Sequence, residues 1–191
     1  MAMYSTYLVN HLQDGYTHAN WIRANEIIEN VTSFDFTSSY PYVMLTEKYP
    51  SSIFRKCRIK SIEQIIDDFC YIVRLKVKNI KCKYYNNFIS QSKCEYIVNG
   101  RYDNGRIMKA DELEIVVTDV DLKLIFDTYD IEQYEFLEVY WSYKDYLPKE
   151  FLNFILEKYE KKTKYKNVSG KEIQYAIEKS LFNSLYRIKC Y

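Results

Sequence analysis

The segment "YIVRLKVKNIKCKYY", which begins at Tyr71, is the feature that most constrains the fold. Three aliphatic residues alternate there with three cations, in the order Val73, Arg74, Leu75, Lys76, Val77 and Lys78. Because successive side chains of a strand point to opposite faces, this alternation predicts a strand with one buried and one polar face. Such a strand needs hydrogen-bonded neighbours, so we expect a β-sheet in the middle of the chain.

The composition favours one folded domain and excludes several classes of protein. The chain has 191 residues, of which 48% are hydrophobic, so it can bury a core and disorder is not expected. The net charge of +1 gives no overall attraction to nucleic acid or membrane, and any electrostatic site must be local. The five cysteines form no CxxC pair, which argues against a zinc site and predicts reduced thiols in a cytoplasm. No apolar run approaches the ~20 residues that span a bilayer.

Patterns on either side of this strand predict an alternation of helices and strands. We expect a strand at Val31–Phe36, a helix over about Tyr42–Lys48 that Pro41 allows to begin, and a short amphipathic helix in "SIEQIIDDFC". The turn "YDNGR" precedes a strand that runs into a helix near Asp119, and "IEQYEFLEVYWSYKDY" is a further strand.

From Pro148 onwards the sequence predicts two helices. The first, "KEFLNFILEKYEKKTKYKN", is increasingly basic, and the second begins where Ser169 and Glu172 have the spacing of a capping box. The fold class is therefore α+β, with a mixed sheet first and a two-helix hairpin last.

The last helix has two contrasting stripes. Its apolar stripe consists of Ile173, Ile177, Leu181 and Leu185, and its polar line consists of Tyr175, Lys179, Asn183 and Tyr186. The basic segment before it contains Lys158, Lys161, Lys162, Lys164, Lys166 and Lys171. Local charge of this kind suits a phosphate ligand, but a solvated helix surface is the commoner explanation of either feature.

Two motifs in order suggest a family. "DFTSSYP" at Asp35–Pro41 resembles motif A of family B DNA polymerases, DxxSLYPS, and "KSLFNSLY" at Lys179–Tyr186 resembles their motif B, KxxxNSxYG. The strand-and-helix region between them is similar to the terminal-protein-region insertion of the protein-primed phage branch. "GYTHAN" at Gly15–Asn20 resembles the segment that joins the exonuclease and polymerase modules.

The resemblance implies an organisation into three parts. Residues 1–50 would begin the polymerase palm and carry motif A. Residues 51–147 would form the inserted α/β subdomain and return to the palm. Residues 148–191 would supply the fingers helices with motif B, so the chain would be an incomplete palm plus a two-helix fingers hairpin.

The resemblance also implies roles for the residues of motif A. Asp35 would be a catalytic carboxylate that binds Mg²⁺, and the backbone carbonyl of Phe36 would bind the metal on the triphosphate. Ser38 and Ser39 would cradle phosphates, and Tyr40 would lie beneath the incoming sugar and exclude a 2′ hydroxyl. Taken without the resemblance, Asp35 also fits a cap or turn aspartate beyond a strand.

In the fingers, the resemblance assigns four residues to the nucleotide. Lys179 would neutralise the triphosphate, and Lys162 in "FILEKYEKKT" would be a second triphosphate lysine. Asn183 and Tyr186 would line the pocket for the nucleotide and the template base.

The sequence also departs from the family pattern. Arg187 replaces the glycine expected after motif B, and Asp14 replaces one of two adjacent glycines. No YxDTD motif follows motif B to supply the second metal carboxylate, and "TDVD" at Thr118–Asp121 precedes motif B, so Asp119 and Asp121 are interpreted as helix-cap residues. We therefore hypothesise a fragment from a split or interrupted phage gene that has little activity alone.

Two functions remain open from the sequence, beside a third possibility, a polymerase remnant that binds no ligand. One is part of a DNA-directed DNA polymerase, with Mg²⁺ as cofactor and with primer-template DNA, a deoxynucleoside triphosphate, a terminal protein and a complementing polypeptide as partners. The other is a non-catalytic DNA- or protein-binding remnant of such a polymerase. Either would act in the cytoplasm, that of the host cell if a phage encodes it, and without a membrane.

Overall fold

A computed structural model describes residues 23, 25–36, 38–84 and 87–184. Its described helices are α1 (Ser39–Thr46), α2 (Asp119–Thr128), α3 (Lys149–Tyr165) and α4 (Glu172–Ser184). Its described strands are β1 (Tyr49–Pro50), β2 (Arg55–Cys57), β3 (Phe69–Cys82), β4 (Cys94–Val98), β5 (Arg101–Asp103), β6 (Arg106–Thr118) and β7 (Tyr129–Asp145). These elements confirm the α+β class.

The chain divides into two compact units. The first comprises Met1–Asn30 and Ser52–Tyr143, and the second comprises Val31–Ser51 and Lys144–Tyr191. The "GYTHAN" segment, Asp14 and Arg187 lie outside the described residues. Among the described residues, no helix is long and apolar enough to cross a membrane.

The first unit is built on an antiparallel sheet in the order β2-β7-β3-β6-β4, with β5 paired to the start of β6. β3 is central, and it pairs with β6 on one side and β7 on the other. Every described strand pair is antiparallel, whereas a mixed sheet was expected. β6 and β7 both run antiparallel to β3, and α2 carries the chain from β6 on one side of β3 to β7 on the other.

The alternation in β3 is confirmed by its burial. Val73, Leu75 and Val77 are fully buried, and Leu75 pairs across the strands with the equally buried Ile115. α2 covers this face and adds Leu122 to the core. Burial of one such aliphatic side chain contributes about 1.5–3 kcal/mol, so the apolar face of β3 anchors the sheet.

Two local motifs of the first unit also match the sequence. The β5–β6 turn has positive φ at Asn104 (47°) and Gly105 (71°), the conformation that a two-residue hairpin requires. Thr118 caps α2, and its hydroxyl accepts from the Asp121 N–H at 3.2 Å while the Asp121 carboxylate accepts from Thr118. Asp121 is thus a cap residue, as predicted.

The prediction of an amphipathic helix in "SIEQIIDDFC" is wrong, because only one helical turn forms there. Only Ile62–Gln64 is helical, as a single 3-10 turn. The Gln64 side chain accepts from the backbone N–H of Lys60 at 2.7 Å, which closes the turn, and Ile65 is already extended. The chain must then enter β3 at Phe69, which leaves no room for a second turn.

The strand predicted at Val31–Phe36 is also not formed. These described residues have no regular structure, and the Phe34 side chain is 90% exposed. A strand needs a hydrogen-bonded neighbour, and no described strand pairs with this segment. The local pattern favoured a strand but could not supply its partner.

The second unit packs three helices around a small core. Ile155 of α3 and Phe182 of α4 are buried, and Met44 and Leu45 of α1 pack against them. α1 begins three residues earlier than predicted, at Ser39, so that Pro41 lies in its first turn, where a missing N–H costs nothing. Glu172 accepts from Gly170 N–H at 3.1 Å, in place of the capping box expected with Ser169.

The polar face of the sheet carries a charge network around Arg74. Its guanidinium donates to Glu95 at 2.7 Å and forms an ion pair with the buried Glu114. Burial raises the pKa of the Glu114 carboxyl, and its hydrogen bond to Glu95 adds to the rise, while Arg74 opposes it. Two residues earlier on β6, hydrogen bonds from Tyr96 and Lys76 lower the pKa of Glu112.

This contrast predicts opposite effects of two matched substitutions. A raised pKa means that the fold disfavours ionised Glu114, so stability present below its unfolded pKa is lost as pH rises through the folded value. Glu114→Gln should therefore remove this loss and match or exceed the wild-type free energy of unfolding at pH 7. Glu112→Gln should lower the free energy of unfolding at pH 7, because the folded state favours that ionised carboxylate.

Urea unfolding between pH 4 and pH 8 measures both effects. As pH falls toward the lowered pKa of Glu112, the loss of unfolding free energy caused by Glu112→Gln should shrink. Over the same range, the unfolding free energy of wild type should increase relative to that of Glu114→Gln. Equal destabilisation of both variants at pH 7 would contradict the opposite pKa directions.

Candidate functional site

The second unit brings a serine of α1 against a lysine of α3. Lys162 Nζ donates to Ser38 Oγ at 3.0 Å, although 124 residues separate them in the chain. Ser38 directly precedes α1 and has a left-handed backbone, with φ 56°. A serine rarely adopts this conformation, so the surrounding structure must hold it there.

The aromatic core beneath Lys162 explains why its ammonium lies beside Ser38. Phe182 of α4 is 1% exposed, and Lys162 Nζ lies 4.8 Å from the centre of its ring. The Tyr159 ring lies 5.9 Å from the same nitrogen. The aromatic faces attract the cation, and its stem is half-buried, so the head has a defined position.

The electrostatics at Lys162 are those of an unneutralised cluster. Burial lowers the pKa of Lys162, and the neighbouring cations Lys179 and Lys166 lower it further. Lys162 forms no ion pair with any carboxylate in the described part of the chain. A group whose charged form is disfavoured in this way is stabilised when an anion arrives.

Two other lysines of the basic segment are neutralised. Lys158 forms an ion pair with Glu178 at 3.4 Å, and Lys161 forms one with Glu157 at 2.5 Å. The structure therefore distinguishes Lys162 from these two lysines, and of the two ion pairs only Glu157–Lys161, at i,i+4 spacing, has a signal in the local sequence. Sequence reasoning also did not assign Lys166 to the site, although the residue lies in the same basic segment.

The faces of α4 differ from the prediction. Ile173, Ile177 and Leu181 are 74%, 53% and 46% exposed, so the apolar stripe does not pack within the described unit. Instead Phe182 is buried and Glu178 is half-buried. The Glu178–Lys158 ion pair and the large apolar area of Phe182 favour the packing of this face of α4 against α3.

The remaining motif A residues lie around the start of α1. Ser39 is its first residue and is exposed, and the Tyr40 ring is 61% exposed. Asp35 and Phe36 lie in the irregular segment before Ser38 and are also exposed. Asp35 therefore does not end a strand.

On α4, Lys179 is exposed and close enough to Lys162 to affect its pKa. Its ammonium lies 5.9 Å from the centre of the Tyr175 ring. The Asn183 side chain and Tyr186 lie outside what the structure describes. The described cluster that could receive an anion therefore consists of Ser38, Lys162, Lys166 and Lys179.

A comparison with protein families identifies the chain. The sequence model for DNA polymerase type B, organellar and viral, matches residues 6–186. The chain belongs to this family. The match covers both motifs and the region between them, and it confirms the resemblance to type B polymerases.

Solved type B polymerases share the fold. Phi29 DNA polymerase complexed with primer-template DNA and incoming nucleotide substrates matches with a TM-score of 0.70 at 18% identity, over 98% of this chain and 31% of that one. The orthorhombic form of Phi29 DNA polymerase gives 0.63 at 18% identity, over 97% and 31%. Its post-translocation binary complex with primer-template DNA gives 0.56 at 20% identity, over 80% and 24%.

This type B polymerase chain thus spans about a third of the length of the solved polymerases it matches. No curated protein sequence matches it. At these identities the likeness concerns the fold, and the chemistry must be argued from the residues of this chain.

The environment of Lys162 predicts a distinctive titration. Its pKa should lie below the ordinary lysine value, and Lys179→Ala should raise it because one repelling cation is removed. The adjacent Lys161 should titrate above the ordinary value, because Glu157 stabilises its charged form. Nuclear magnetic resonance of the lysine Cε–Hε groups measures both values in one sample, and a Lys162 pKa equal to that of Lys161 would contradict the cluster.

Proposed function

We propose that the second unit binds the triphosphate of an incoming deoxynucleotide, as part of a DNA-directed DNA polymerase. The observation that carries this proposal is the hydrogen bond between Lys162 and Ser38. It joins the basic helix α3 to the start of α1, so one anion can contact both. Membership of the type B polymerase family makes a nucleotide the natural anion.

The phosphates would be held by charge and by backbone groups together. Lys162 would transfer its hydrogen bond from Ser38 to a phosphate oxygen and regain a counter-charge. Lys179 would contact the same triphosphate from α4. The N-terminus of α1, which begins at Ser39, also favours an anion at this end.

The other contacts follow from the motifs. Tyr40 would lie beneath the sugar and exclude a 2′ hydroxyl, while Asn183 and Tyr186 would line the base pocket. In this role the residues of the chain position the nucleotide and select its sugar. Positioning of the triphosphate is a large part of catalysis in phosphoryl transfer.

The metal site is only partly supported by the described residues. When bound, Mg²⁺ would supply charge neutralisation and an activated 3′ oxygen. Asp35 and the Phe36 carbonyl are the proposed ligands, but the described residues contain no group of three His, Cys, Asp or Glu side chains that could hold a metal ion. They do not complete a two-metal site, so the proposed mechanism here is binding and orientation, with little turnover by this chain alone.

The proposed partners follow from the same family. Primer-template DNA would be the substrate, and a terminal protein and a complementing polypeptide would be protein partners. Residues 1–50, 51–147 and 148–191 would act as palm, insertion and fingers. The setting would be the cytoplasm, that of the host if a phage encodes the chain.

A non-catalytic binding remnant is the alternative. The exposed position of Asp35, without a described cluster of ligands, favours it. Such a remnant would bind DNA or protein with no need of Asp35, and it would have no specific affinity for a triphosphate.

Calorimetric titration with a deoxynucleoside triphosphate tests the proposal. Lys162→Ala should weaken binding about ten- to a hundredfold, because a charge-assisted hydrogen bond contributes about 1.5–3 kcal/mol. Lys179→Ala should weaken it by a smaller factor, because this side chain is more exposed and its charge is better screened. The affinity of wild type should fall as pH rises through the lowered pKa of Lys162, before lysines with an ordinary pKa lose their protons.

Lys161→Ala is the matched control. It removes a lysine from the adjacent position, but one that is already paired with Glu157. Equal binding by wild type and the Lys162 variant, or an equal loss in the Lys161 variant, would rule out the proposed site. Titrations of wild type and Asp35→Asn, each with and without Mg²⁺, separate the contribution of Asp35.

A further inference from the structure

The first unit contains a cavity of about 330 Å³ beside its edge strand β2. Residues of β2, β3 and β7, and of the connection between β2 and β3, line it. Most of the lining is apolar, from Ile59, Ile66, Phe69 and Trp141. No charged side chain of the described residues lines the cavity, although 28% of the residues in the chain are charged. Such a lining favours a neutral ligand over an ion.

Three aromatic rings form one wall of the cavity. In the strand register, Tyr71 of β3 lies directly opposite Trp141 of β7. The Phe69 ring meets the Trp141 ring edge to face, with ring centres 4.9 Å apart, and it meets the Tyr71 ring at 6.3 Å. Because these rings already pack against one another, the wall does not have to be ordered when a ligand arrives.

The Tyr71 hydroxyl in this wall is a buried donor that lacks an acceptor. Tyr71 is only 4% exposed, and its oxygen accepts from the Ile66 N–H at 3.4 Å. Its own O–H proton is donated to no other residue in the described part of the chain. Burial raises the pKa of this phenol, so the proton stays on the oxygen at neutral pH. A buried donor without an acceptor costs free energy, which a ligand that accepts this hydrogen bond recovers.

Both polar side chains at the cavity have fixed positions. The backbone N–H of Tyr71 donates to the buried Asp119 carboxylate at 3.0 Å, which anchors the tyrosine in β3. The Gln64 side-chain oxygen accepts from the N–H groups of Lys60 and Ser61, at 2.7 Å and 3.3 Å. Since that oxygen is used, Gln64 has only its N–H groups to offer a ligand. Tyr71 and Gln64 therefore both call for a ligand that accepts hydrogen bonds.

We infer that this cavity binds a small neutral molecule with two fused aromatic rings and an oxygen that accepts a hydrogen bond from Tyr71. A cavity of about 150 Å³ holds benzene, so about 330 Å³ has room for two fused rings. Aromatic side chains of a protein partner fit less well, because phenylalanine and tyrosine have one ring and the indole of tryptophan has no acceptor oxygen. The site is independent of the proposed triphosphate site, because its lining residues all belong to the first unit.

Methyl nuclear magnetic resonance of the full chain with ¹³C-labelled isoleucine tests the inference, with coumarin as the probe. Coumarin is neutral and has two fused rings and a carbonyl oxygen, whereas indole has a similar size but no acceptor oxygen. Coumarin should shift the methyl signals of Ile59 and Ile66 saturably and leave that of Ile177, in the second unit, unchanged. Indole should bind more weakly at the same place, because it cannot accept from Tyr71.

Tyr71→Phe removes the hydroxyl and keeps the ring. It should weaken coumarin binding about threefold to tenfold, the effect of one neutral hydrogen bond, and leave indole binding unchanged. Tyr134→Phe is the matched control, because Tyr134 lies on the neighbouring strand β7 and does not line this cavity. It should leave the affinities for both compounds unchanged.

A wild-type preference for coumarin over indole that Tyr71→Phe abolishes supports the inference, whatever the result of the triphosphate titration. The absence of saturable shifts at Ile59 and Ile66, or equal affinity of wild type and Tyr71→Phe for coumarin, would overturn it. If Tyr71→Phe does not fold, the wild-type preference decides, and equal affinity of wild type for coumarin and indole overturns the inference. Tighter binding of N-acetyltryptophanamide than of coumarin would also overturn it and would identify a protein side chain as the occupant.

Discussion

The burial of Phe182 against Ile155 determines how the second unit presents its charges. This contact selects the face of α4 that packs on α3, and it leaves Ile173 and Ile177 exposed. The same ring lies beneath the ammonium of Lys162 and holds it at Ser38. Loss of such a buried aromatic side chain costs about 3–5 kcal/mol, so the arrangement of the cations depends on a hydrophobic contact.

Among the described residues, both units contain lysines that are paired with a carboxylate and lysines that are not. In each unit some lysines have a carboxylate partner, as Lys158 has Glu178 in the second unit and Lys76 has Glu112 in the first. Lys162 has none in the described part of the chain, and Lys179 and Lys166 lie close enough to lower its pKa. Because a nearly neutral chain has no overall field, this local excess is where an anion gains most on binding.

The sequence predicted those features whose cause is local. The alternation in β3, the Asn104–Gly105 turn and the role of Asp121 as a cap residue of α2 each depend on residues close together in the chain, and all three formed as expected.

Features that depend on contacts between residues far apart in the chain were predicted less well. Val31–Phe36 has the composition of a strand but no described neighbour to pair with, and the packed face of α4 depends on residues of α3. At the site, the motifs identified Lys162 and Ser38, but only the fold shows that they touch. The i,i+4 spacing of Glu157 and Lys161 could have predicted that ion pair, whereas the contact of Lys162 with Ser38 joins residues far apart in the chain.

Affinity labelling with an acyl-phosphate derivative of a deoxynucleoside triphosphate tests the central claim most directly. Such a reagent transfers its acyl group to a lysine amine beside the bound phosphates, and peptide mass spectrometry identifies the lysine. The account predicts preferential labelling of Lys162 and Lys179, with protection by free deoxynucleoside triphosphate. Labelling of Lys161 as strong as that of Lys162, or a failure of the free nucleotide to protect, would contradict it.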